Sequence, residues 1–175
     1  MGIIRYRKDY EDYFEKYLTG MKLIYETIWE FEYVLVMSEN HPLALKPEIS
    51  GSDLKDYVKI THGDIEMPGN GRNMNEERQR SAGEIDVGEK TIYVYERGSQ
   101  FDLLTNVPTT YMWVSPLPER HLKQYHLVQR ACKVPNNLYR DVLIYRKDYQ
   151  LGEYDILFQK KIYESKVEVS STGVI

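Results

Sequence analysis

Apolar side chains recur at steps of three and four along Tyr10, Tyr13, Phe14, Tyr17, Leu18, Met21, Ile24, Tyr25, Ile28, Phe31 and Leu35. That spacing predicts one long amphipathic helix over residues 8–37, with Asp9, Glu11 and Asp12 in a first turn where the helix dipole favours anions. Gly20 is a weak point inside it and a candidate break, and Asn40-His41-Pro42 ends it, because the residue before proline avoids the α region. A helix of roughly 30 residues spans about 45 Å, more than a small domain is wide, so part of it is expected to pack on something else.

The pattern lapses over residues 38–84. Pro42, Pro47, Ser50-Gly51-Ser52 and Pro68-Gly69-Asn70-Gly71 are turn signals. Tyr57–Ile60 fits a short strand, Met67–Met74 a flexible loop and Asn75–Arg80 a helical turn. An irregular excursion of this length is expected to be functional or partly disordered.

From residue 85 the period shortens to two. Thr91–Glu96 (TIYVYE) and Thr109–Val114 (TTYMWV) are β-branched and aromatic runs, predicted to form an antiparallel pair. Residues 117–133 then read as a helix, with Leu122, Tyr125, Val128 and Cys132 on one face. Residues 138–164 read as helix as well, with Leu138, Val142, Tyr145 and Tyr149 in step and an interruption at Gly152. Residues 165–175 are either an edge strand or an extended arm. The fold class expected is α+β, in a single domain over 1–175: a long N-terminal helix, a small antiparallel hairpin and C-terminal helices.

Composition narrows this further. With 42% hydrophobic and 29% charged residues, the chain can bury a core and is not expected to be disordered throughout. Cys132 is the lone cysteine, so no internal disulfide can form. The N-terminus carries no apolar stretch of the signal-peptide kind, and the most apolar run, Tyr33–Met37, is too short to cross a bilayer, so a cytoplasmic protein is expected. A net charge of −4 argues against general nucleic-acid binding, which needs a basic footprint. Arg72, Arg78 and Arg80 are diluted by Glu76 and Glu77. Tyrosine outnumbers phenylalanine 16 to 4. Such rings suit either a boundary layer of the core or a surface that is wet when free and covered in a complex.

No complete catalytic or metal motif is present, and neither a cofactor nor a metal is expected. His121 and His126 are five apart and do not share a helical face, while His41 and His62 stand alone. Cys132 falls on an apolar face, where a small buried hydrophobe is the default. Gly69-Asn70-Gly71 is too short for a phosphate cradle. Gly83-Glu84-Ile85-Asp86 followed by a strand ending at Glu96 resembles the PD-(D/E)xK nucleases, in which such acids bind Mg²⁺ and activate water. Here Tyr95-Glu96-Arg97 lacks the lysine of the E-x-K pair, and Asp86-Val87-Gly88-Glu89 also fits a turn.

The stretch Tyr93–Lys133 is similar to the head–tail adaptor, or tail-tubular, proteins of short-tailed bacteriophages. The matching residues are Tyr95-Glu96-Arg97, then Tyr111-Met112-Trp113-Val114, then Leu117-Pro118-Glu119, Tyr125 and Arg130-Ala131. Glu96 stands where that family has Asp, and the N-terminal half does not show the family's helix pair. The resemblance implies a non-catalytic virion subunit: a homo-oligomeric ring that binds the portal by protein–protein contacts and surrounds passing DNA without gripping it. Tyr95, Arg97, Trp113 and Tyr125, with Tyr13 and Tyr17 on the first helix, are the fold-defining or contact residues expected on that reading, Trp113 at mid-strand being expected in the core more than at the interface. A small acidic inhibitor of a nucleic-acid enzyme is the second reading, and the Mg²⁺-dependent nuclease the third.

Overall fold

The computed structural model describes residues 1–63 and 90–171, with the side chain of Ser171 excepted. Helices are interspersed among the strands along the chain, giving a mixed α/β fold that divides into two compact units. One holds Met1–Tyr33 and the chain from Asn136 through the last helix, and the other holds Val34–Pro135.

The first unit is built on a three-stranded antiparallel sheet in the order β1 (Gly2–Arg7), β10 (Leu138–Arg146), β2 (Leu23–Glu32). The expected long N-terminal helix is therefore corrected. Only α1 (Glu11–Gly20) is helical, and it ends where Met21 N–H and Lys22 N–H return to the carbonyls of Tyr17 and Thr19 and Lys22 takes a φ of 56°. A left-handed residue turns the chain and stops the helix, and here a lysine does what glycine usually does. Beyond it, Ile24–Phe31 is rich in β-branched and aromatic residues and becomes strand. Its apolar residues are dense enough to satisfy a period of 3.6 by coincidence.

The same coincidence misplaced residues 138–146, which form the central strand β10, with Val142 and Leu143 almost fully buried. Tyr6 of β1 stacks on Phe14 of α1 with ring centroids 4.6 Å apart. On the opposite pleat, the Tyr163 hydroxyl of α4 (Glu153–Ser171) donates to the Glu26 carboxylate at 2.6 Å. The expected edge strand or arm after residue 165 is thus helix through Ser171, and residues 172–175 lie outside the described residues.

The second unit holds a five-stranded sheet in the order β6 (Thr91–Val94), β5 (Val58–His62), β7 (Thr110–Val114), β3 (Val34–Ser38), β8 (Leu127–Arg130). Short β4 (Ile49–Ser50) and β9 (Cys132–Lys133) pair in parallel. Every residue of β3 (VLVMS) is buried, as a strand flanked on both sides and covered on both faces requires. One face packs Val34, Val36, Ile60 and Met112 against Leu104 of α2 (Arg97–Asn106) and Leu122 of α3 (Glu119–Gln124). The other packs Leu35, Met37 and Tyr111 against Leu43, Ile49, Leu54 and Cys132.

Two expectations are corrected here. Thr91–Val94 and Thr110–Val114 are strands, but not an antiparallel pair: each runs parallel to β5, one on either side of it. The helix expected over 117–133 ends at Gln124, where His126 with φ 51° turns the chain into β8. The loop Met67–Met74, the turn Asn75–Arg80 and the acids Glu84 and Asp86 lie outside the described residues.

Candidate functional site at the carboxyl ends of the parallel strands

Strands β6, β5 and β7 all point the same way, and β6 and β7 leave β5 on opposite sides. In an open parallel sheet this reversal of strand order opens a crevice beyond the carboxyl ends of the strands, where ligands bind. Here that edge is formed by His62 at the end of β5, Gly63 after it, and Tyr95 and Glu96 after β6. The pairing of His62 with Val94 and the bond from Gly63 N–H to the Val94 carbonyl (3.0 Å) hold the two ends level.

Gly63 leaves room there for a ring. A Cβ built on it would lie 2.4 Å from Cε1 of Tyr95, so the Tyr95 ring rests directly on the Gly63 backbone. The rest of that ring is open, and Tyr95 is 69% exposed. Glu96 caps α2. Its carboxylate accepts from Gly98 N–H and Ser99 N–H, both at 2.6 Å, and from the Ser99 hydroxyl at 2.8 Å. Those bonds, led by that from Gly98 N–H, hold its carboxyl below the usual carboxylate range.

One turn further on, Gln100 is buried. Its amide nitrogen lies 3.3 Å from Nδ1 of His62 and donates to the Val94 carbonyl at 3.4 Å. Both contacts are long, so this amide can turn to another partner at little cost. The edge thus combines an open aromatic ring, an amide able to donate and accept, an imidazole and a carboxylate locked onto a helix terminus.

The contact residues expected from sequence are dispersed. Tyr95 and Arg97 flank Glu96 at this edge, and both are exposed. Trp113 packs with the Leu35–Tyr111 cluster, and its Nε1 is buried without a hydrogen-bond partner among the described residues. Tyr125 packs on the other face of the sheet, stacked on Phe101 at 4.9 Å, so it is a packing residue of α2 and α3. Tyr13 and Tyr17 belong to the first unit, where they are exposed on α1 with ring centroids 6.3 Å apart. The residues that sequence reasoning missed are His62, Gly63 and Gln100. The one local signal was a glycine directly after a strand, which often marks a close backbone approach.

Glu96 is occupied as a cap, which corrects its reading as a nuclease acid. Among the described residues no group of three or more His, Cys, Asp or Glu is placed to hold a metal. No described helix is long and apolar enough to cross a membrane. Burial pushes the Cys132 thiol up to about 11, with the charge of Asp53 adding to the effect. At neutral pH it is a packed thiol and not a nucleophile.

No protein-family model and no curated protein matches the sequence. Solved structures do match in fold. The regulatory domain of MetR, a LysR-family regulator of N. meningitidis, superposes with a TM-score of 0.56 at 13% identity, over 85% of this chain and 66% of that one. The effector-binding domain of QuiR, solved in complex with shikimate, gives 0.55 at 19% identity, over 87% and 68%. The regulatory domain of CcmR from Synechocystis, in complex with 2-PG, gives 0.52 at 14%, over 87% and 70%. The chain thus spans about two thirds of the length of these domains. This likeness overturns the resemblance to phage head–tail adaptors, and with it the virion location, the ring, the portal partner and the DNA channel. The fold this chain shares is that of the regulatory domains of LysR-family regulators.

Proposed function

We propose that this chain is a small-molecule sensing module, the regulatory part of a LysR-type transcriptional regulator. We place its ligand at the carboxyl ends of β5 and β6, between Tyr95, Gln100 and His62. The observation that carries this reading is the strand-order reversal between β5 and β7, with His62 and Gly63 on its β5 side and Tyr95 and Gln100 next to them. Two of the similar domains were solved with small polar molecules, shikimate and 2-PG, which supports the same role here.

Sensing follows from the geometry. Gln100 and the cap Glu96 are both on the first turns of α2, and α2 packs Leu104 into the core beneath. A ligand that draws Gln100 from its long bonds to His62 and Val94 acts directly on a helix that is part of the fold. If two placements of α2 differ in affinity for the ligand, binding shifts their populations.

A thermal-shift screen of small polar metabolites tests the reading. A ligand at about a hundred times its Kd stabilises the folded state by roughly 2.7 kcal/mol, which is several degrees of Tm for a domain of this size. The gain should vanish in Gln100→Ala. A screen in which no compound raises Tm, or in which Gln100→Ala responds as fully as the unaltered chain, would overturn it.

A further inference from the structure

We propose that α4 is a self-pairing surface: two copies of this chain associate by laying their last helices antiparallel, with Leu157 at the two-fold axis. The helix belongs to the first unit, whereas the edge at His62 belongs to the second.

α4 packs one side and leaves the other in solvent. Gln159, Ile162, Lys166 and Val169, at steps of three and four, are buried or half-buried. On the opposite side Tyr154 is 88% exposed and Leu157 52%, and Ile156 and Phe158, exposed as well, border them. Four large apolar side chains between residues 154 and 158 thus face water, and a covering surface gains their burial. The patch is held in place beforehand. The Asp155 carboxylate accepts from Gly152 N–H at 2.9 Å and from the Tyr149 hydroxyl at 2.8 Å, which fixes the first turn of the helix and lowers the ordering cost of binding.

Charge decides the occupant. Glu153 lies four residues before Leu157 and Lys160 three after it, on one flank of the exposed stripe. Tyr154 lies three before and Lys161 four after, on the other flank. A two-fold axis through Leu157 reverses the helix direction and keeps each flank on its own side. Glu153 of each copy then meets Lys160 of the other, and the Tyr154 ring meets Lys161 of the other. Within one chain, Lys160 at 4.0 Å and Lys161 at 2.7 Å share the single carboxylate of Glu164, so positive charge is left over for a second carboxylate. A uniformly basic or acidic partner would satisfy only one sign of this patch, while a second copy satisfies both. Burial of the apolar residues drives the association, and the exposed charges set its direction and register.

Sedimentation equilibrium of the full chain, from about 1 µM to about 1 mM, tests this, because a patch of this size supports a dimer with a Kd on the order of 10 µM or weaker. Leu157→Arg sets two cations at the axis and should abolish the dimer, with the circular dichroism unchanged because the side chain is half exposed. Glu153→Lys and Lys160→Glu each place like charges together twice per dimer and should weaken it on the order of tenfold. The double variant, Glu153→Lys with Lys160→Glu, restores opposite signs and should return to within about threefold of the unaltered chain. A chain that stays monomeric throughout, even one that binds anionic phosphatidylglycerol vesicles instead, would overturn the pairing. A dimer that survives Leu157→Arg, or a double variant as weak as the single ones, would overturn it too.

Discussion

Arg130 of β8 reaches across the sheet edge to Lys46: its Nη2 donates to the Lys46 carbonyl at 2.5 Å, and its Nη1 to the Ala44 carbonyl. The Pro47 carbonyl accepts from it as well, at 3.3 Å. An arginine that is only 7% exposed is thus wrapped by main-chain oxygens of residues 44–47, which otherwise follow no repeating pattern. The fork geometry of arginine serves several carbonyls at once, and lysine cannot reproduce it. Arg130→Lys should cost about 2–4 kcal/mol, because buried carbonyls lose their donors. Urea unfolding at pH 7.5 checks this, and a loss below about 0.5 kcal/mol would show the clamp to be incidental.

His41 makes stability depend on pH. Its ring is 3% exposed, Nδ1 accepts from Leu43 N–H at 3.0 Å, and the ring packs on Tyr57 at 4.5 Å. Nδ1 therefore carries no proton in the fold, and desolvation lowers the pKa from its ordinary 6.5 to about 4. The sign follows from linkage. As pH falls below 6.5 the unfolded chain takes up a proton that the folded one refuses, so stability declines down to about pH 4 and levels off below it. The full loss from this group is up to about 3 kcal/mol. His41→Asn, which keeps an acceptor for Leu43, should be less stable at pH 7.5 and flatter between pH 6.5 and 4. Parallel slopes for the two proteins over that range would remove His41 as the cause.

Cys132 is expected to be silent in the folded protein. Its thiol is buried in the cluster with Leu35, Ile49 and Leu54, and burial raises its pKa to about 11. A disulfide reagent at neutral pH should label it only as fast as the chain unfolds. Cys132→Ala should cost about 1–2 kcal/mol through lost packing, and Cys132→Ser more, because its hydroxyl would need a new partner. Rapid labelling under native conditions would contradict the placement.

The sequence made some elements legible and hid others for definite reasons. Strands β6, β7 and most of β5 were readable because Thr91–Val94, Thr110–Val114 and Val58–Ile60 are short runs of β-branched and aromatic residues between turn signals. The long helix breaks at Gly20, the weak point noted in the sequence, and the turn is completed by left-handed Lys22; the helix over 117–133 was read too long because left-handed His126, which stops α3, carries no stop signal of the glycine or proline kind. β2 and β10 were misread because dense apolar residues fit both periods. The site was half legible. Tyr95 and Arg97 stood out locally, but for a different partner. His62 and Gln100 acquire meaning only through the pairing of β5 with β6, which joins residues 38 positions apart. No local pattern encodes that pairing.

Gly63 and Tyr95 offer a direct test of the edge itself. A methyl at 63 would collide with the ring at 2.4–2.8 Å, but the ring is 69% exposed and can swing into solvent. No positive φ is involved at Gly63, so alanine fits its backbone. Gly63→Ala should therefore cost less than about 1 kcal/mol of stability, because the displaced side chain is mobile and its loss of contact is small. Tyr95→Ala should cost a similar amount. The double variant should be no worse than either single one, since both remove the same stacking of ring on backbone. Ligand affinity should fall in all three variants alike, because each removes the ring from its seat. If Gly63→Ala binds as tightly as the unaltered chain while Tyr95→Ala does not, the ring works from another position, and the seat on Gly63 is packing without a role in recognition.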